Sequence, residues 1–349
     1  MNPFVFGILL SSLGLGTALT FASSHWLMAW MGLEINTLAI IPLMTRHHHP
    51  RSVEATTKYF LTQATAAAMI LFASTTNAWM TGEWNIQQLS NPVAATMAFM
   101  ALALKIGLAP VHFWLPEVIQ GLDLPTGLLL STWQKLAPFA LIVQVAPYAN
   151  PTILTTLGIL STLVGGWGGV NQTQLRKILA YSSIAHLGWM ILVLQFAPSI
   201  TLLALLMYVL MTASAFLTFF ATRSTSVSVL ATAWAKAPAL VGLASLVLLS
   251  LGGLPPLTGF MPKWLILQEL TKQGLPMVAT AAALTALLSL YFYLRLCYAM
   301  SLTISPNTTP ATAPWRTVTT QSHLPLATVT VMALALLPLT PAVLAFLTP

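Results

Sequence analysis

Apolar segments of about twenty residues follow one another along almost the whole chain, separated by short polar connectors. A helix of about 20 residues crosses the roughly 30 Å hydrocarbon core of a membrane. Only 5% of the residues are charged, against about 25% in an ordinary soluble domain, so the chain cannot cover itself with a water-soluble surface. The sequence therefore predicts a polytopic membrane protein.

We predict an all-α fold of about eleven spanning helices, because the apolar segments lack strand alternation and are too long for membrane strands. The predicted spans are 3–22, 25–45, 55–80, 92–110, 124–146, 150–172, 174–196, 199–222, 239–259, 276–301 and 323–347. The longest connectors, 223–238 and 305–320, are interpreted as surface loops. No connector has the length of a soluble domain, so residues 1–349 form a single transmembrane domain.

Basic residues in the connectors and toward the ends of the spans indicate the orientation, since Lys and Arg concentrate on the side from which helices insert. If the spans alternate, one side receives Arg46, Arg51, Lys58, Arg176, Lys177, Arg223, Lys236, Arg295 and Arg316, and only Lys272 falls opposite. The net charge of +7 is then a topology signal rather than a nucleic-acid-binding patch. We expect the N-terminus on the positive side, with residues 3–22 as a retained helix, since no cleavable leader pattern precedes them.

Four charged residues stand out within the predicted apolar segments or beside their interruptions, namely Glu34, Lys105, Lys135 and Lys263. A charge at the bilayer centre costs about 2.5 to 3.5 kcal/mol even on a lenient scale, so such residues usually face a polar interior and mark ion paths. The alternative is that one or two are snorkelling or paired structural charges. That alternative is most open for Lys263, which could lie near a helix end.

Prolines interrupt the helices beside three of these charges. The interruptions are Pro110 and Pro116 after Lys105, Pro138 after Lys135, and Pro255, Pro256 and Pro262 before Lys263. Proline breaks the helix ladder, which in lipid is tolerated only where the freed groups face protein or water. A broken helix with a charge beside the break is typical of an ion site near the midplane. For Pro138 a simple packing kink is the alternative.

A weak internal symmetry relates the two interrupted helices. Lys105 is followed by GLAP, and GLPP comes a few residues before Lys263. Residues 1–146 and 150–301 would then be corresponding halves of five helices each, followed by a C-terminal helix at 323–347. Because five is odd, the halves enter the membrane from opposite faces, which predicts inverted repeats with a central site.

Three segments of the chain resemble the signature segments of the antiporter-like membrane subunits of respiratory complex I. They are GLAPVHFWLPEVIQGL at 107–122, QTQLRKILAYSSIAHLGWM at 172–190 and GGLPPLTGFMPKW at 252–264. The resemblance covers nearly the whole chain, with the segments in the family's order. It implies antiporter-like inverted repeats with two broken helices, and a core membrane-arm subunit that takes part in proton translocation coupled to electron transfer from NADH to ubiquinone.

The resemblance also implies roles for individual residues. Glu34 would pair with Lys105 in the broken fourth helix, while Lys135 and Lys263 would be further proton-translocating sites. In general, burial lowers the pKa of a lysine and an adjacent carboxylate raises it, so a moving carboxylate partner can load and unload a proton. A proton passed from Lys105 toward Lys135 and Lys263 would couple events along the membrane plane.

Two histidines, His112 and His186, lie in segments that match the family's polar axis. A neutral imidazole can relay protons near physiological pH. A hydrogen-bonded structural histidine fits the residues equally well. The run RHHHPR at 46–51 is interpreted as a solvated loop, because three consecutive histidines do not converge well on one metal ion.

Redox chemistry is not expected in this chain. A single cysteine, Cys297, excludes intrachain disulfides and clusters held by several thiolates, and a buried inert thiol is its expected state. The glycine-rich GGWGGV at 165–170 lies inside an apolar segment, so we interpret it as a helix-packing site rather than a nucleotide-binding loop. The resemblance implies that NADH and ubiquinone are used elsewhere in the assembly and that this chain binds no cofactor and no metal.

The resemblance further implies a multi-pass subunit of the mitochondrial inner membrane, with its N-terminus on the matrix side. Its partners would be other complex I membrane subunits, accessory subunits and membrane lipids, and no nucleic acid. Two other functions remain open: an autonomous cation/proton antiporter, and a purely structural membrane subunit. Four intramembrane charges, three of them beside helix breaks, argue against the structural alternative.

Overall fold

The computed structural model describes residues 3–46, 48–235, 237–302 and 324–347, and in these ranges it contains helices and no strands. Predictions that fall on the connector 305–320, on Lys236 or on His47 lie outside the described residues. The all-α prediction is confirmed. The chain divides into two compact units, residues 1–157 and residues 158–349.

The first unit carries seven helices and the start of an eighth. They are α1 (Pro3–Ala22), α2 (Trp26–Met44), α3 (Pro50–Thr81), α4 (Pro92–Ile106), α5 (Trp114–Gly121), α6 (Leu124–Ser131), α7 (Trp133–Val145) and α8 (Pro151–Val170). Side chains of His25, His49 and Asn91 accept backbone N–H groups at the starts of α2, α3 and α4. These caps satisfy donors that would otherwise lack partners at a helix start.

The second unit continues α8 and adds eight helices in the described residues. They are α9 (Leu175–Val193), α10 (Pro198–Ala221), α11 (Val227–Thr232), α12 (Pro238–Gly252), α13 (Phe260–Lys272), α14 (Pro276–Leu302), α15 (Leu324–Ala335) and α16 (Thr340–Leu347). The last two helices are bent from each other by 65°. The single C-terminal helix predicted at 323–347 is therefore a broken one.

Six helical segments of the described chain are each long and apolar enough to cross a membrane, and the bent pair α15–α16 would make a seventh. Helices α4 and α12 are shorter apolar helices. They end at Ile106 and Gly252, several residues before the predicted ends, and each is followed by a separate helix that the sequence analysis did not predict. The count of eleven spans remains a prediction.

The two breaks, after α4 and after α12, have the same local structure. Gly107 and Gly253 end their helices with positive φ angles of 86° and 80°, a conformation that only glycine adopts without strain. The next N–H, of Leu108 or Leu254, returns to the carbonyl five residues earlier in both breaks. The following helix starts seven residues after the glycine in both breaks. When the two breaks are aligned on these glycines, Lys263 corresponds to Glu117 and not to Lys105.

Close helix packing explains the glycine-rich segment at 165–170. A Cβ atom placed on Gly165 would lie 2.5 Å from the backbone nitrogen of Ala185, and one on Gly168 would lie 2.3 Å from the Tyr181 ring. Helices α8 and α9 therefore approach so closely that no larger residue fits at these glycines. This geometry agrees with the helix-packing interpretation.

Helix α5 is joined to α3 by an exposed ionic cluster. The Lys58 Nζ atom lies 2.8 Å from a carboxylate oxygen of Glu54 on its own helix and 2.8 Å from one of Glu117 on α5. The Lys58 ammonium holds the pKa of the Glu54 carboxyl below its usual range. All three side chains are at least 43% exposed in the chain, so the pairs contribute little to stability.

Arg295 lies inside the predicted span 276–301, and the structure places it in α14, where its guanidinium donates to the carbonyl oxygens of Val170 and Gln172. Helix α8 ends at Val170, so this carbonyl lacks a donor from its own helix. The long Arg295 side chain thus supplies donors at the end of a neighbouring helix.

Replacing Arg295 by methionine should therefore destabilise the folded chain, since each hydrogen bond to a charged group contributes about 1.5 to 3 kcal/mol. We expect the thermal inactivation midpoint of the assembled protein to fall by several degrees. Arg51→Met, at an exposed arginine, is the matched control. Equal midpoints for the two variants would contradict the capping role of Arg295.

Candidate functional site

The break after α4 places a lysine in the last helical turn. Lys105 lies two residues before Gly107, and its side chain is 5% exposed. Among the described residues, its Nζ atom has no hydrogen-bond partner. The C-terminal end of a helix carries a partial negative charge of about half an elementary charge, which favours a cation there. The partial negative charge at the end of α4 therefore favours the protonated form of Lys105.

Two neutral donors occupy carbonyl groups at this helix end. The side-chain amide of Gln63 on α3 donates to the Lys105 carbonyl at 3.3 Å, and the Trp114 indole on α5 donates to the Leu104 carbonyl at 3.0 Å. Carbonyls freed by the break are therefore satisfied without using the Lys105 ammonium. The Lys105 ammonium is therefore not needed as a donor at this helix end.

Glu34 lies on α2, where its carboxylate accepts a hydrogen bond of 3.0 Å from the Thr37 hydroxyl. The carboxylate is near enough to Lys105 for electrostatic interaction. The ion pairs within 4.0 Å in the described residues do not join these two side chains. The two side chains that the family resemblance implies as a pair are thus within electrostatic range of each other, without a direct salt bridge.

A small cavity of about 20 Å³ contacts both Lys105 and Lys135. That volume is enough for about one water molecule. Lys135 is 3% exposed and lies in the first turn of α7, just after an interruption at Thr132. The cavity therefore gives the two buried lysines a shared polar space, although they are thirty positions apart in the sequence.

Amide side chains complete the polar lining of this cavity, which we call the Lys105–Lys135 cavity. Asn36, Gln63 and Gln134 contribute to it, together with the Thr37 hydroxyl. Asn36 is 2% exposed, and neither atom of its amide has a hydrogen-bond partner in the described residues. The Gln134 side-chain amide donates to the backbone carbonyl of Asn36 at 3.1 Å. An unpaired buried amide favours a bound water or another polar group.

The sequence analysis did not identify these amides as part of the site. Asn36 and Gln134 lie inside predicted apolar spans, as does Gln63. Polar amides within membrane helices were the available signal, since they need partners inside the protein. The lysines were identified by their charge, which these neutral amides lack.

In the second unit, the side chain of Lys263 folds back onto the break after α12. Its Nζ atom donates to the Gly252 carbonyl at 2.8 Å and to the Leu251 carbonyl at 3.5 Å. A Cβ atom on Gly253 would lie 2.8 Å from the Lys263 Cδ atom. Lys263 therefore belongs to the break itself, although it lies on α13 and not in the span predicted at 239–259.

The two histidines have different surroundings. His112 is 4% exposed, lies just after the break, and its Nδ1 atom is 3.2 Å from the Pro110 carbonyl. It does not line the Lys105–Lys135 cavity. The His186 ring on α9 lies 5.7 Å from the Tyr208 ring, measured between centroids. These contacts are compatible with either a structural or a relay role.

Within residues 3–46, 48–235, 237–302 and 324–347, no three His, Cys, Asp or Glu side chains are arranged to hold a metal ion. In the 46–51 segment, His49 instead accepts the N–H of Arg51 at the start of α3.

Family comparison gives two matches that together span most of the chain. Residues 23–289 match the family model described as "NADH:quinone oxidoreductase/Mrp antiporter, TM". Residues 290–344 match the model described as "NADH dehydrogenase subunit 2 C-terminus".

Curated relatives are similar over their full lengths. The NADH-ubiquinone oxidoreductase chain 2 of Oncorhynchus mykiss is 74% identical over 347 residues, which cover 99% of each chain. That of Carassius auratus is 74% identical over 348 residues, which cover 100% of each chain.

Solved structures with the same fold include bacterial and archaeal assemblies. A chain of respiratory complex I from Thermus thermophilus is 33% identical, with a TM-score of 0.84 over 98% of this chain and 80% of that one. A chain of an archaeal membrane-bound sulfane sulfur reductase is 17% identical, with a TM-score of 0.85 over 98% of this chain and 74% of that one. The second likeness concerns the fold alone.

Proposed function

This chain belongs to the family of membrane subunits shared by NADH:quinone oxidoreductases and Mrp antiporters, and we propose that its buried lysines carry protons in respiratory complex I. It is a proton-translocating subunit of the membrane arm, as its relatives at 74% identity indicate. The enzyme to which it contributes is the H⁺-translocating NADH:ubiquinone reductase. We place the redox chemistry, and the binding of NADH and ubiquinone, in other chains of that assembly.

The observation that carries the proposal is the position of Lys105, which lines a cavity shared with Lys135 and whose buried Nζ atom has no hydrogen-bond partner in the described residues. Burial disfavours a charged lysine, and a nearby carboxylate favours it. Small movements of Glu34 relative to Lys105 therefore change the affinity of the lysine for a proton. Lys135 provides a second acceptor on the same cavity.

Proton movement needs an external source of free energy, because moving one charge across a membrane costs about 2.3 kcal/mol per 100 mV. Quinone reduction by NADH supplies it in our proposal, and the assembly transmits it to this chain. Lys263 is proposed as a further proton site, and His112 and His186 as relays. We retain the two halves, 1–146 and 150–301, as inverted repeats, and the matching breaks after α4 and α12 support their correspondence.

The chain is a multi-pass protein of a respiratory membrane. We propose the mitochondrial inner membrane, with the N-terminus in the matrix, because basic residues concentrate on the side of the N-terminus if the spans alternate. Other complex I subunits are its partners. Accessory subunits and lipids are proposed to cover its exposed apolar surface, which includes Phe4, Trp79 and Phe346 at 81%, 89% and 92% exposure.

Replacing Glu34 by glutamine tests the electrostatic control of Lys105. We expect assembled complex carrying Glu34→Gln to oxidise NADH but to pump several-fold fewer protons per NADH, because the carboxylate charge no longer favours the protonated lysine. Proton uptake and NADH oxidation are measured together in proteoliposomes. Glu54→Gln, at a carboxylate 64% exposed, is the matched control and should pump normally. Unchanged pumping by Glu34→Gln would remove Glu34 from the mechanism.

The autonomous antiporter alternative has its own test. The purified chain alone is reconstituted into liposomes carrying a pH gradient, and exchange of Na⁺ or K⁺ for protons is followed. Our proposal predicts no exchange above protein-free liposomes. Exchange that depends on Lys105 would favour the antiporter function.

A further inference from the structure

We propose that Ser250 and Thr258 are positioning residues for Lys263, acting by fastening the break after α12 to the bend of the C-terminal helix pair. This inference rests on the proposed proton-translocating role of Lys263. It assigns a function to α15 and to two hydroxyl groups that lie outside the proton sites themselves.

The fastening begins at the end of α15. This helix stops at Ala335, so the carbonyl groups of its last four residues lack donors within the helix. The Ala333 carbonyl accepts hydrogen bonds from both the Ser250 hydroxyl, at 3.1 Å, and the Thr258 hydroxyl. Both hydroxyl-bearing residues are 0% exposed. Two side chains from the break after α12 thus satisfy an acceptor freed by the break after α15.

The same hydroxyls join the two sides of the break. Ser250 lies on α12, and Thr258 lies just before α13. Their oxygen atoms are 3.1 Å apart, and the backbone N–H of Gly259 points at the Ser250 hydroxyl at 3.3 Å. The end of one helix and the approach to the next are therefore held on a common acceptor, the Ala333 carbonyl.

Lys263 depends on the segment that this arrangement fixes. The carbonyls that accept its ammonium belong to Leu251 and Gly252, the two residues directly after Ser250. The lysine itself lies on α13, in the turn that follows Thr258 and Gly259. Any movement between α12 and α13 would separate the ammonium from its carbonyls. The hydroxyls therefore set the geometry of a lysine that they do not contact.

Most membrane serines and threonines do not act in this way. Thr218 on α10 is also 0% exposed, but its hydroxyl donates to Ala215 on the same helix. By contrast, Thr258 and Ser250 reach an acceptor 75 and 83 positions away. Thr218 is consequently a matched control of the same residue type and burial.

Thr258→Val removes the hydroxyl and keeps the shape of the side chain. We expect assembled complex with this variant to oxidise NADH at a normal rate but to pump several-fold fewer protons per NADH. Thr258→Ser, which keeps the donor, should restore pumping, and Thr218→Val should pump normally. Should Thr258→Val not assemble, Ser250→Ala removes the other hydroxyl and is expected to lower pumping in the same way.

Lys263→Met separates this inference from the proposed function. If Lys263→Met loses pumping and Thr258→Val, normalised to assembled complex, pumps fully, the positioning role is wrong and the lysine role stands. Normal pumping by Lys263→Met would overturn the proposed role of Lys263 itself. If both variants lose pumping, combining them should cause no loss beyond that of Lys263→Met, because the hydroxyl acts through the lysine. An additional loss would overturn the positioning role.

Discussion

Replacing Lys105 by alanine is expected to abolish proton pumping coupled to NADH oxidation while the chain remains in the assembled complex. The substitution removes a side chain that is 5% exposed and whose Nζ atom has no hydrogen-bond partner in the described residues. Losing such a group breaks no ion pair or hydrogen bond of the fold, and it removes the proton carrier from the cavity shared with Lys135. We expect at least a roughly tenfold fall in pumping rate, equivalent to about 1.4 kcal/mol.

The measurement compares proton uptake with NADH oxidation in proteoliposomes containing equal amounts of assembled complex. Lys105→Met tests the same charge with less change in volume and should give the same loss. Lys272→Ala is the control, since Lys272 is 61% exposed and 3.8 Å from Glu269. Normal pumping by both Lys105 variants would sink the proposal that this lysine carries protons.

The second large effect is expected from Gly259→Ala. A Cβ atom at this position would lie 1.7 Å from the Ser250 carbonyl oxygen, and this acceptor belongs to the backbone and cannot rotate away. The φ angle of Gly259 is −65°, so the obstacle is contact and not backbone conformation. Relief requires α12 and α13 to move apart, at a cost of about 1 to 3 kcal/mol. We expect little of this variant to accumulate in assembled complex.

Assembly is measured as the amount of the chain recovered in the intact complex at two growth temperatures. Gly242→Ala is the control, because a Cβ atom there meets nothing within 4 Å. Alanine in the middle of α12 should leave assembly unchanged or slightly improved, since it favours helix over glycine. Equal recovery of the Gly259 and Gly242 variants would show that the break tolerates expansion.

The membrane fold and the buried charges are features that sequence alone predicts well. Apolar segments mark spanning helices because lipid demands them, and a charge such as Lys105 or Lys135 is conspicuous inside such a segment. The helix ends at Ile106 and Gly252 were harder to predict from the sequence. The eight-residue helix α5 is too short for a periodic pattern to identify.

Side-chain partners were the least predictable part of the site. Nothing local distinguishes Thr258, which bonds a carbonyl 75 residues away, from Thr218, which bonds its own helix. The partners of Lys263 are main-chain carbonyls, and these have no sequence signature. The family resemblance implied roles for Glu34 and the lysines, but it did not point to Asn36 or to the other amides of the cavity.

The hydrogen-bond acceptors of Lys263 are main-chain atoms, so mutations affect them differently from a side-chain partner. The Glu34 carboxylate near Lys105 can be lost through a single codon change. The Gly252 and Leu251 carbonyls, in contrast, are present whatever residue is encoded at those positions. Sequence drift at positions 251 and 252 can therefore alter the packing around Lys263 but cannot delete the oxygen atoms that accept its hydrogen bonds.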